Sequence, residues 1–140
     1  MRWGNTYSES FHASNGVRQG GILSPYLFNV YMDGLSELLN NEVTGCYING
    51  ISYNHLMYAD DTVVMAPSAR GLQRLISVCE YYAANCDILF NVKKTKYMCI
   101  KPKGDNCNIV PKVFLNNLPI DLVSQYKYLG HVICHNNNQD

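Results

Sequence analysis

Asn54-His55-Leu56-Met57-Tyr58-Ala59-Asp60-Asp61-Thr62-Val63-Val64-Met65-Ala66 is the stretch that decides the fold. Two adjacent carboxylates stand between two short apolar, β-prone arms, which predicts a strand, a tight acidic turn and a returning strand. Two unit charges held ~4 Å apart near a protein surface repel by about 4 kcal/mol at an effective dielectric of ~20. A hairpin that presents such a pair gains when a divalent cation lies between them, as in phosphoryl-transfer sites. An isolated Asp-Asp turn is more often a solvated polar cap. The flanking stretches carry the decision between these readings.

Composition sets the outer bounds. At 140 residues, 47% of them hydrophobic and 16% charged, the chain is globular and holds one domain with a real core. Eleven basic and eleven acidic residues cancel, so any electrostatic footprint for nucleic acid must come from local clustering. The six cysteines form no C-x-x-C pair, which removes metal-finger spacing; Cys79 and Cys86 fall on one face of a predicted helix and read as buried free thiols. No stretch has the pattern of a signal peptide or a membrane span. The expectation is a reduced, soluble, intracellular protein, cytoplasmic or nuclear, with no membrane partner.

On the N-terminal side, Tyr7 and Phe11-His12-Ala13 suggest an edge strand or hairpin leading into an Asn15-Gly16 turn. Gly16-Val17-Arg18-Gln19-Gly20-Gly21-Ile22-Leu23-Ser24-Pro25-Tyr26-Leu27-Phe28 follows, a glycine-rich loop that feeds a helix. Ser24 reads as N-cap and Pro25 as the first helical residue. Leu27, Phe28, Tyr31, Leu35, Leu38 and Leu39 then recur at helical spacing, giving a helix from about Pro25 to Leu39. Exposed N–H groups at such a helix start suit an anion, although an ordinary glycine turn with a capped helix has the same signature. Asn49-Gly50 between β-prone arms predicts a hairpin just before the acidic run.

On the C-terminal side, Pro67-Ser68 opens a second helix. Leu72, Leu75, Ile76, Cys79, Ala83 and Cys86 make its apolar face, with Arg70, Gln73, Arg74, Ser77 and Glu80 off it. Lys93, Lys94 and Lys96 precede a strand-like Tyr97 to Ile100, with Lys101 and Lys103 beyond. This basic cluster suits equally a guarded sheet edge or contact with a phosphate backbone. Val113 to Ile120 reads as another hairpin, Tyr126 to Ile133 as a final strand with Gly130 inside it, and 135–140 as a polar tail. His12, His55, His131 and His135 show no ligand spacing and receive no metal or catalytic role.

Read jointly, these stretches resemble a reverse transcriptase palm of the non-LTR retrotransposon type. Gly16 to Phe28 resembles motif B, near the templating base and incoming nucleotide, and Tyr58-Ala59-Asp60-Asp61 matches the metal-binding motif C. Asn91, Lys94, Thr95 and Met98, within residues 91–98, resemble motif D. Tyr128-Leu129-Gly130, within 126–133, resembles motif E, the primer grip. The four stand in family order and span nearly the whole chain, so 1–134 reads as one partial palm. The family's motif A strand, with a further metal-binding aspartate, lies upstream of motif B; before Gly16 this sequence holds no aspartate, and Glu9 is the sole acid. Motif A and the fingers are therefore expected to be missing here.

The resemblance implies an α+β fold: an incomplete polymerase palm with an antiparallel sheet and two packing helices, following a ferredoxin-like plan that lacks its first strand. It further implies a gap in the sheet, an unusual pairing, or a neighbour that fills the gap. The implied function is that of a fragment of an RNA-directed DNA polymerase, adding deoxynucleotides to a primer 3′-hydroxyl on an RNA or DNA template and inactive alone. The alternative is a truncated retroelement remnant that at most binds nucleic acid. Two Mg²⁺ ions are implied, with Asp60 the main ligand from this chain and Asp61 in support. The resemblance puts Tyr58 by the primer terminus and Gln19 and Gly20 at the nucleotide and template pocket, with Arg18 nearby. It puts Lys94 at the pyrophosphate, and Leu129 and Gly130 under the primer backbone. Implied partners are the primed template, deoxynucleoside triphosphates and the remainder of a longer polyprotein.

Overall fold

The computed structural model describes residues 2–10, 16, 18–101 and 110–135. It divides into two compact units, Met1–Asp33 and Gly34–Asp140. The Phe11-His12-Ala13 segment, Asn15, Val17, Lys103, Cys107 and the tail from Asn136 lie outside the described residues.

In the first unit, β1 (Arg2–Trp3) and β2 (Thr6–Tyr7) pair antiparallel, with Trp3 opposite Thr6 and Gly4 at φ +60° supplying the turn. Helix α1 (Ser24–Asn40) begins there. Its start departs from expectation. The Leu27 N–H donates to the Leu23 carbonyl at 2.9 Å, so Leu23 is the flanking residue and Ser24 the first helical one. A backbone turn brings this about: Gly21 N–H donates to Arg18 C=O at 3.1 Å and Ser24 N–H to Gly21 C=O at 3.2 Å. The Ser24 hydroxyl donates back to the Arg18 carbonyl rather than capping the helix, and Pro25, one place further in, still sits where its missing N–H costs nothing.

The second unit begins with the rest of α1, where Leu35 and Leu39 are fully buried. Gly34 allows a close approach: a Cβ there would lie 3.1 Å from the Tyr82 ring. Strands β3 (Cys46–Ile48) and β4 (Ile51–Tyr53) form the hairpin expected at Asn49-Gly50. Strands β5 (His55–Tyr58) and β6 (Asp61–Val64) form the acidic hairpin, with His55 opposite Val64 and Tyr58 opposite Asp61.

Helix α2 (Ala69–Asn85) starts as expected from Ser68, whose hydroxyl accepts the Gly71 N–H at 3.1 Å. It buries Leu75, Ile76, Cys79, Tyr82 and Ala83. Cys86 falls just past the helix as its C-cap, and Cys79 is buried as read, its thiol pushed up to about 12 by burial first and by the Glu80 charge second. Such a thiol stays neutral and unreactive.

Beyond α2, β7 (Lys96–Tyr97) is shorter than the strand expected over Tyr97 to Ile100. Strands β8 (Phe114–Leu115) and β9 (Leu118–Pro119) form the predicted hairpin, and β10 (Asp121–Leu122) pairs parallel with β7. The single strand expected over Tyr126 to Ile133 is instead a hairpin of β11 (Gln125–Tyr128) and β12 (His131–Cys134), with Leu129 and Gly130 at its tip. Gly130, at φ +88°, is a turn residue and not a bulge within a strand.

The core gathers Ile76 of α2 with Val113, Leu115 and Ile120, and Val64, Leu72, Phe90, Val92 and Tyr97 pack around it. Two polar side chains of α2 seat the β8–β9 hairpin on that core. The Gln73 amide donates to the Phe114 carbonyl at 2.9 Å and accepts the Phe114 N–H at 2.8 Å, as a neighbouring strand would. Glu80 accepts the Asn116 N–H. The fold is thus α+β, two helices with small sheets. In place of one continuous sheet, the strands among the described residues pair two by two, antiparallel except for β7 with β10.

Candidate active site at the acidic hairpin

Alternation along β5 turns His55 and Met57 inward and leaves Leu56 and Tyr58 exposed. The turn at the end is Ala59-Asp60, with Ala59 at φ 51°. That left-handed backbone costs a residue with a Cβ about 1–2 kcal/mol. The reward is display: Asp60 at the tip and Asp61 at the start of β6 are both exposed. Neither carboxylate forms an ion pair among the described residues, whose salt bridges are Arg74–Glu42 at 2.5 Å and Lys96–Asp121 at 2.6 Å. Thr62, next in line, has a buried hydroxyl without a partner, but it pairs with Met57 on the inward face and is no donor to the acidic tip.

Two adjacent, unpaired, hard oxygen donors fit a Mg²⁺-type cation, which takes its protein contacts from one or two carboxylates. No group of three or more His, Cys, Asp or Glu that could hold a metal occurs among the described residues. The donor set is of the right chemistry, and any third carboxylate must come from elsewhere.

The second hairpin tip stands within electrostatic reach of the first. The Tyr128 phenol is pushed up by burial and, secondarily, by the Asp61 charge. Tyr128 ends β11 half-buried, while Leu129 and Gly130 beside it are exposed, Leu129 at φ 47°. Lys94 is not joined to the acidic tip by any ion pair among the described residues. It lies exposed in a turn organised by Asn91, whose side-chain oxygen accepts the Lys94 N–H at 3.1 Å and whose carbonyl accepts the Thr95 hydroxyl at 2.9 Å. The basic cluster divides: Lys96 is tied to Asp121, and Lys93 and Lys94 face solvent.

Arg18, Gln19 and Gly20 belong to the first unit. Arg18 lines an open concavity of about 650 Å³ with Gly16, Gly21, Ile22, Leu23 and Leu27. Gln19 and Gly20 are exposed beside it, Gly20 at φ +78°.

Most of the chain has counterparts in known proteins. The family model for "Reverse transcriptase (RNA-dependent DNA polymerase)" matches residues 2–133. The chain belongs to that family. Over 130 residues, 88% of its length, it is 32% identical to the "Retrovirus-related Pol polyprotein from type-2 retrotransposable element R2DM" of Drosophila melanogaster. Over 126 residues it is 33% identical to the polyprotein from type-1 retrotransposable element R2 of Nasonia vitripennis. Over 124 residues it is 27% identical to the "RNA-directed DNA polymerase from mobile element jockey" of Drosophila melanogaster. The chain spans 12% of the length of each of these relatives. The resemblance drawn from the motifs, to reverse transcriptases of the non-LTR retrotransposon type, holds. Among the described residues no helix is long and apolar enough to cross a membrane.

Sequence reasoning passed over three residues at the root of the acidic hairpin. Asn54 is buried at 4% exposure, and its amide donates to the Leu39 carbonyl at 2.5 Å while its oxygen meets His55 Nδ1 at 2.7 Å. His55 Nε2 in turn meets the Ser36 hydroxyl at 2.8 Å. A signal existed: Asn54 and His55 are adjacent polar residues at the mouth of an apolar strand, where at least one of them must turn inward and find a polar partner.

Proposed function

We propose that this chain is the motif B-to-E part of a retrotransposon RNA-directed DNA polymerase, a palm on the ferredoxin-like plan without its first strand. The observation that carries this reading is the Asp60-Asp61 pair, exposed on a strained turn and without an ion pair among the described residues. In this reading 16–28 serves as motif B, 58–61 as motif C, 91–98 as motif D and 126–133 as motif E, within a domain of 1–134.

Asp60 and Asp61 hold divalent cations, Asp60 as the main ligand. Such cations supply activation of the attacking hydroxyl and neutralisation of the departing pyrophosphate. The chain's own residues then bind and orient. Tyr58, a 64% exposed ring one strand position from the tip, offers a flat face to the primer terminus. Leu129 and Gly130 present backbone and one apolar side chain to the primer strand. Lys94, exposed and without an ion pair, provides positive charge or a proton for the leaving pyrophosphate. Arg18, Gln19 and Gly20 contact the nucleotide and template. The substrates are a primed RNA or DNA template and deoxynucleoside triphosphates, and the chain acts as part of a longer polyprotein.

The 140 residues alone are expected to be inactive for want of a third carboxylate. Primer extension with Mg²⁺ should give no product above that of the Asp60→Asn, Asp61→Asn double variant. Product from the wild-type 140 residues, absent in the double variant, overturns the incompleteness. In a polyprotein that supplies an aspartate strand, extension should appear and be lost in the double variant. Extension that survives there overturns the metal role of these carboxylates.

A further inference from the structure

Strands β5 and β6 hydrogen-bond to no third strand among the described residues. A lone two-stranded hairpin is marginal in water, so the contacts at its root decide where its tip points. Those contacts run through Asn54, His55 and Ser36. The Asn54 amide donates to the Leu39 carbonyl in the last turn of α1, which also accepts the Glu42 N–H at 3.1 Å. Because the Asn54 amide nitrogen is spent on Leu39, it is the Asn54 oxygen that faces His55, and His55 Nδ1 must donate the hydrogen. His55 Nε2 is then the bare nitrogen and accepts the hydroxyl of Ser36. Ser36 and Leu39 sit three apart on α1 and share a face, so the first residue of β5 and the residue just before it are bolted to one side of one helix turn. The Met65 N–H donates to the Asn54 carbonyl at 2.7 Å and closes the ladder at the same end. The side-chain amide of Asn54, both ring nitrogens of His55 and the hydroxyl of Ser36 each have a partner, the condition under which a buried network specifies a unique geometry.

We infer that His55 is a positioning residue for the acidic tip, latching β5 to the last turns of α1 through Asn54 and Ser36 and so fixing the direction of Asp60 and Asp61. The inference rests on the polymerase reading for its purpose but not for its test. A ligand-bearing side chain must be held to a fraction of an ångström, and partners behind a metal's ligands affect affinity by about 10–100-fold. The latch places that support at the far end of a short lever of four-residue strands.

The test is nuclear magnetic resonance on the 140-residue chain, comparing wild type with Ser36→Ala, Ser36→Thr and Gln73→Ala. Alanine is a better helix former than serine, so Ser36→Ala keeps α1 intact. Ring ¹⁵N shifts of His55 should show the Nδ1–H form in wild type and Ser36→Thr, and mixed forms in Ser36→Ala. Amide order parameters at Ala59, Asp60 and Asp61 should fall in Ser36→Ala from the rigid range near 0.85 toward about 0.6 and stay rigid in Ser36→Thr. Gln73→Ala cuts the α2–β8 contact instead; it should lower the melting temperature and leave the tip ordered. A tip equally ordered in Ser36→Ala, or equally loosened by Gln73→Ala, overturns the latch. A Mn²⁺ titration then separates the two ideas. Half-broadening of the Asp60 and Asp61 amides should need about threefold to tenfold more Mn²⁺ in Ser36→Ala, the ratio one net hydrogen bond contributes. If wild type shows no Mn²⁺ effect at the tip, the metal reading fails while the order parameters still decide the latch.

Discussion

The hairpin tips of the second unit come in two kinds. Asn49-Gly50, at φ 51° and 80°, and Asn116-Asn117, at φ 52° and 61°, place residues that tolerate left-handed backbone where the chain needs it. The Ala59-Asp60 and Leu129-Gly130 tips instead put Ala59 at φ 51° and Leu129 at φ 47°, residues with a Cβ and no side-chain group to bond the turn. Leu129 adds a second cost, an apolar side chain 47% exposed. The relaxed Asn116-Asn117 tip belongs to a hairpin that organises the fold: β8–β9 is clamped by Gln73 and Glu80 onto the core. The strained tips carry Asp60-Asp61 and Leu129-Gly130, the residues to which the proposed function gives the metal and primer contacts. Strain held without a stability return is the mark of a position kept for what it presents.

The largest effect should separate the tips by activity. In the complete polymerase, Asp60→Asn with Asp61→Asn should lower primer extension by on the order of 100-fold or more, since even partners behind a metal's ligands affect function by about 10–100-fold. Exchanging Asn49-Gly50 for Gly-Gly should leave the extension rate within about twofold, because that exchange keeps the turn's backbone. Equal losses from both would erase the distinction between the tips.

Stability should separate them with opposite sign. Asn116→Ala forces a left-handed alanine into a relaxed tip and should cost about 1 kcal/mol in urea unfolding. Ala59→Gly removes the same strain from the acidic tip. Its gain of about 1–2 kcal/mol is offset by glycine's entropy cost of about 0.5–1 kcal/mol, so the variant should be more stable by roughly 0.5 kcal/mol. Destabilisation by Ala59→Gly would show that the tip is not strained.

These two kinds of turn also explain what the sequence made legible. Asn-Gly and the Val113 to Ile120 pattern announced their hairpins because turn chemistry and geometry agree there. So did α2, from Ser68 as cap and from period 3.6 in Leu72, Leu75, Ile76, Cys79 and Ala83. The acidic hairpin was readable from its arms and its paired carboxylates despite Ala59. The β11–β12 hairpin was not: Leu129 carries no turn signal, and Tyr126 to Ile133 therefore read as one strand. Ser24 looked like a cap because local sequence cannot show that a turn from Arg18 to Gly21 hands the capping position to Leu23. The pairing of β7 with β10, and the grip of Gln73 on Phe114, join residues far apart in the chain, beyond any local pattern.

The smallest effect lies at the root of the acidic hairpin and distinguishes it from the relaxed ones by pH. Burial lowers His55 below its ordinary value of 6.5. The unfolded chain therefore takes up a proton near pH 6.5 that the folded chain refuses. Between that pH and the lower folded-state value the unfolded state binds more protons, so stability falls as pH falls, and below the folded value the loss levels off. Above pH 6.5 the residue is neutral in both states and contributes no slope. The slope from this one proton stays under about 1.4 kcal/mol per pH unit. Urea unfolding of wild type and His55→Gln from pH 7.5 down to 5 should show curves that run parallel above about 6.5 and converge below it. Neither arm of β3–β4 nor of β8–β9 contains a histidine, so Asn49 or Asn116 variants should follow the wild-type pH curve at a constant offset. An unchanged slope in His55→Gln would mean that His55 titrates alike in both states, and that its ring is not held in the neutral form between Asn54 and Ser36.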